Sequence, residues 1–149
     1  MSSSGLQSPY PAQRNKTEKN VCTDQLESKA EKQALGRTDR LRDWAAVHQS
    51  FKKFAVCDDG IIAEGYSDAV AQLLAKHWNT LPDLIRLGSS DHAFKDFVLR
   101  HIDATDSYDD LKRADRNARL RCPSEAKGLC SAIRSHAEAA MKEINEDTQ

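Results

Sequence analysis

From Leu41 to Ile144 the apolar residues return every three or four positions, and no useful stretch alternates apolar and polar with period two. That spacing is made by helices that each lay one stripe on a shared core. Hairpin signals are missing as well. No Asn-Gly occurs, and Asp59-Gly60 has no alternating flanks. The chain therefore reads as all-α, an antiparallel bundle of five to six helices over residues 38–147.

The first helix is predicted to start at Thr38 or Asp39 and to carry Leu41, Trp44, Val47, Phe51, Phe54 and Ala55. It is expected to run on through Cys57, Ile61 and Ile62 to a stop at Gly65, with Gly60 as the alternative break. Ser67 is predicted to cap the second helix, whose buried side is Val70, Leu73, Leu74, His77 and Trp78. Pro82 opens a short third helix, with Thr80 and Asp83 resembling a capping box. Gly88-Ser89-Ser90 reads as a turn, with Ser90 capping a fourth helix lined by Phe94, Phe97, Val98, His101 and Ile102. A fifth helix carries Tyr108, Leu111, Ala114, Ala118 and Cys122 and ends at Pro123. Leu129, Ile133, Ala137, Ala140, Met141 and Ile144 mark the last.

Residues 1–37 read as a disordered or marginally helical tail, because their few apolar groups do not offset ordering entropy. Thr23 to Leu35 holds helix formers on a thin apolar stripe, and Gly36 would end it. Removal of residues 1–36 is accordingly expected to leave thermal stability nearly unchanged.

With 22 basic and 23 acidic side chains the net charge is −1. Nucleic-acid binders show a basic excess, and so do proteins drawn to anionic membrane surfaces, so neither partner is expected. No run of 18 apolar residues offers membrane insertion. The start, Met1-Ser2-Ser3-Ser4-Gly5, lacks a secretory leader, which places the chain as written in the cytoplasm; removal of a natural leader would place it in the periplasm. None of the four cysteines is spaced as C-x-x-C, which disfavours zinc and thioredoxin-like chemistry. A Cys122–Cys130 disulfide is feasible if 123–128 is a loop, and a tie from Cys57 to one of these two is the alternative.

No catalytic, metal-binding or cofactor constellation emerges. The five histidines are scattered, and those beside apolar stripes (His48, His77, His101) read as packed core histidines. The strongest charge feature is the stretch from His101 to Asp110. Its acids match no calcium loop, so they read as caps of the following helix on a solvated surface. Asp103, Asp106, Asp109 and Asp110 are thus candidates for meeting a basic rim on a partner, followed by Asp58 and Asp59. The last two, as helix neighbours about 100° apart, do not converge on one substrate atom.

The run Phe51-Lys52-Lys53-Phe54-Ala55-Val56-Cys57, followed by Ile61-Ile62-Ala63-Glu64-Gly65-Tyr66-Ser67, resembles the first helices of the immunity proteins of type VI secretion amidase effectors. Asp91-His92-Ala93-Phe94-Lys95-Asp96-Phe97-Val98 and the late Cys122 add to the likeness, which spans about residues 41–135. The resemblance implies a non-enzymatic inhibitor in the periplasm that docks on a toxic cell-wall hydrolase and blocks its cleft, with a homodimer allowed. The alternatives are a cytoplasmic helical adaptor or regulator and a small metal-dependent enzyme using the acidic connection.

Overall fold

The computed structural model describes residues 21–35 and 40–148. The expectation for residues 1–20 falls outside them. The described residues form seven α-helices and no strand: α1 (Asp24–Leu35), α2 (Trp44–Phe54), α3 (Gly60–Lys76), α4 (Leu81–Ser90), α5 (His92–Arg100), α6 (Tyr108–Leu120) and α7 (Lys127–Asp147). Short 3-10 turns at Ala55–Cys57, Trp78–Thr80 and Ser124–Ala126 join some of them. No described helix is long and apolar enough to cross a membrane.

The helix count exceeds the expected five to six because the segment Asp24–Leu35, expected to be marginal, is a full helix, while within 40–148 the breaks shift position without changing in number. At 55–60, Asp58 leaves helical geometry and Gly60 takes a positive φ of 52°, a conformation that costs glycine little. Asp59 then caps α3, accepting from the Gly60 N–H at 2.8 Å. Ser67, predicted as that helix's cap, lies in its interior and is buried. Gly88-Ser89-Ser90 is the last turn of α4 rather than a loop, and Asp91 caps α5 in place of Ser90. Ser89 and Ser90 return their hydroxyls to carbonyls of their own helix, Ile85 and Leu87, rather than capping the next one. Thr80 makes no cap bond and turns to the His77 carbonyl instead. Helix α6 stops at Leu120, two residues before Cys122.

Helix α3 is the hub, with ten of its seventeen residues buried. Trp44, Phe54, Leu73, Leu74, Trp78, Leu84, Phe94, Phe97, Val98, Leu111 and Ile133 join one core, and Phe51 packs half-buried against it. Phe51 tilts on Phe94 and Phe97, and Phe97 meets Tyr66 edge-on at 4.9 Å. His77, expected on the buried side, is exposed; the chain has left the α-helix there with φ −129°.

The segment from Thr23 is a three-turn helix docked on the bundle. Ala30 and Ala34 are buried, and a Cβ placed on Gly65 would stand 2.6 Å from that of Ala34, so α1 and α3 meet with almost no side chain between them. Cys22 is bonded to Cys57, with Cα atoms 5.0 Å apart, so Cys57 pairs with neither Cys122 nor Cys130. Those two are bridged to each other, as the looped alternative allowed. Their bond closes the α6–α7 hairpin, where Asp115 and Arg134 face one another across the two helices.

Candidate functional site

Two connections meet at one end of the bundle: the α2–α3 turn carrying Asp58 and Asp59, and the α5–α6 connection from His101 to Ser107. His101 joins them. Its Nε2 lies 2.8 Å from Asp58 Oδ2 and its Nδ1 2.8 Å from Ser67 Oγ. The Ser67 hydroxyl donates to Asp103 Oδ2 at 2.7 Å. Its one proton is then committed to Asp103 and is not held by the ring. The ring thus spans Asp58 on one side and, through the Ser67 hydroxyl, Asp103 on the other.

Serine, histidine and aspartate in contact raise the question of nucleophilic catalysis. A nucleophilic hydroxyl must lose its proton to the ring and must reach a substrate. Here the hydroxyl proton goes to Asp103 rather than to the ring, and Ser67 is 1% exposed. This arrangement therefore holds structure and has no route to a substrate. Cys57, the residue before Asp58, is spent in its disulfide with Cys22. Among the described residues no three histidine, cysteine or acidic side chains are placed to hold a metal ion together.

The six candidate acids divide by burial. Asp106 is 6% exposed; one oxygen accepts the Asp103 N–H and the other is buried without a partner. Burial first, then the nearby charges of Asp103, Asp68 and Asp110, push its pKa up to about 8, against the lowering effect of the Asp103 N–H. Asp110 is also buried, 4.0 Å from Lys76 Nζ. Asp58 and Asp103 are half-buried and occupied by the histidine network. Asp59 and Asp109 are exposed. The acids are spread along α3, from Asp59 at its start to Asp110 beside Lys76 at its end, and Asp106 and Asp110 do not project into solvent.

The signal that sequence reasoning missed is apolar. Ile61 and Tyr108, 47% and 42% exposed, stand at the first turns of α3 and α6, beside Asp59 and Asp109. Ile61 had been assigned to the buried stripe of a longer first helix. The break at Gly60 resets the helical phase and turns it outward.

A second polar relay links α1 to the core: Gln33 and Tyr66 both bond the buried Ser50 hydroxyl. Burial raises the Tyr66 pKa to about 12, partly offset by the Ser50 bond.

No protein-family model matches the chain, and neither a curated protein nor a solved structure matches it at a significant level.

Proposed function

We propose that this chain is a non-enzymatic protein-binding domain that neutralises a toxic hydrolase by docking on it, in the manner of the type VI amidase immunity proteins its sequence resembles. One observation carries the reading. The His101–Asp58 contact fastens the two connections together, and Asp59, Ile61, Tyr108 and Asp109 stand exposed at the starts of the helices that follow them. Apolar and aromatic side chains beside exposed charges are the composition of a binding patch: the apolar groups supply affinity and the acids steer a basic partner. Two disulfides suit an oxidising compartment such as the periplasm, which favours this reading over the cytoplasmic adaptor.

The test uses the full chain as bait, identifies the captured protein by mass spectrometry and assays its hydrolase activity with the chain added. Inhibition is expected, and Ile61→Asp with Tyr108→Ala should abolish it. Asp109→Lys should slow association and weaken its salt dependence, leaving the fold intact. Capture of no hydrolase, or full inhibition by the Ile61/Tyr108 variant, would refute the proposal.

A further inference from the structure

A separate cleft of about 370 Å³ lies between α4, α5 and the first turn of α7. It falls near the lower end of the volumes that hold small ligands, roughly 300–1,000 Å³. Leu84, Ile85 and Leu129 give it apolar surface. Gly128 lines the α7 wall, and a Cβ there would meet nothing within 4 Å, so that wall is open space rather than packed core.

The polar groups are placed asymmetrically. Lys95 lines the cleft from α5. Its aliphatic stem crosses Gly88 of α4, where an added Cβ would meet the Lys95 Cβ at 3.3 Å and Cγ at 3.5 Å. A side chain at 88 would displace that stem, so the bare glycine sets where the ammonium stands. Lys95 makes no ion pair with another described residue. His92 adds a second nitrogen group on the same wall. On the far side α7 begins with no side-chain cap, so the positive end of a 21-residue helix is not screened by one of its own acids at that position. Glu125 is the one acid lining the cleft, exposed at its rim and likewise without an ion pair to a described residue.

We propose that this cleft binds a small amphipathic monocarboxylate, its apolar body on Leu84, Ile85 and Leu129 and its carboxylate on Lys95. The charge around an apolar floor decides the class. A neutral apolar ligand would leave the Lys95 ammonium unanswered, and a cationic one would meet it at close range. Glu125 opposes the ligand's charge from the rim and limits affinity.

The experiment titrates the isotopically labelled full chain with octanoate, octan-1-ol and octylamine, following backbone amide shifts. Octanoate should give saturable shifts confined to the neighbourhood of Leu84, Ile85, Lys95 and Leu129. Its affinity should exceed that of octan-1-ol by about tenfold, the worth of one charge-assisted contact. Lys95→Met should erase that preference, and Glu125→Gln should strengthen octanoate binding by about threefold, as expected for one rim charge. Equal binding of octanoate and octan-1-ol, an unchanged preference in Lys95→Met, or shifts spread over the whole surface would overturn the proposal. Should Lys95→Met fail to fold, the Glu125→Gln titration and the comparison of the three ligands still decide it.

Discussion

His101 Nε2 and Asp58 Oδ2 meet at 2.8 Å across a separation of 43 residues, and the same separation recurs along the molecule. His48 bonds Asp91, the Asn117 amide donates to the Leu74 carbonyl, and the Trp78 indole donates to the Arg121 carbonyl, each 43 apart. A constant offset means that the α2–α3 segment and the α5–α6 segment run side by side in one direction, with α4 as the crossover. Phe51-Lys52-Lys53-Phe54 and Phe94-Lys95-Asp96-Phe97 stand in equivalent places in the two segments. His101 is the rivet between their two bends.

Removing either member of that rivet should leave a buried polar group unanswered. Asp58→Asn and His101→Gln are each expected to cost about 2–4 kcal/mol in urea unfolding. The double variant should cost less than the sum, with a coupling of about 1–3 kcal/mol. Strict additivity would show that the contact contributes nothing as a pair.

Asp106 should make stability depend on pH above the usual carboxylate range. Its pKa is raised to about 8, so the native state keeps a proton that the unfolded chain gives up near pH 4. Between those limits the native state binds more protons and stability falls as pH rises, by up to about 1.4 kcal/mol per unit. Asp91, lowered chiefly by its bond to His48, acts oppositely: it adds stability above the unfolded carboxylate range and loses it as pH drops through the folded value. Asp106→Asn can still accept the Asp103 N–H. It should exceed the wild type in stability at pH 8, with the gap closing towards pH 4. Parallel curves for the two proteins would dismiss the assignment.

Helix α1 should prove integral to the fold, contrary to the expectation that residues 1–36 can be removed without effect. Cys22→Ser with Cys57→Ser is expected to cost about 3–4 kcal/mol, from the loop entropy the bond removes. Gly65→Ala should cost about 1–3 kcal/mol, because its Cβ would press on Ala34 at 2.6 Å and force α1 outward. In both variants amide exchange should accelerate first within Asp24–Leu35. Unchanged protection there would show that α1 is not held by these contacts.

The helical class and most of the core were legible because aromatic and branched residues carry strong periodic signals, as Phe94, Phe97 and Val98 do on α5. The bounds of α1 were legible too, but its docking was not, because Ala30 and Ala34 add little hydrophobic signal. Their value lies in being small enough to seat against Gly65, a property of the partner helix. Ser67 resembles a cap because a serine followed by an aspartate suits a helix start. Only the contact with His101, 34 residues away, explains why it is buried instead. Consecutive acids read as solvated, and Asp109 is; Asp106 differs because the chain between Asp103 and Ser107 turns it inward under the Asp103 amide. The choice of Cys22 as the partner of Cys57 depended on α1 docking and was hidden with it.

The Cys22–Cys57 bond also changes what a protease can do to this molecule. A cut anywhere between the two cysteines severs the backbone without releasing either piece. The product would be a two-chain protein whose amino-terminal fragment stays tethered through sulfur at 57, with Ala30 and Ala34 free to keep their places on α3. Under reducing electrophoresis it would run as two bands, and without reductant as one. An encounter that clips this connection would therefore mark the protein's history without dismantling it.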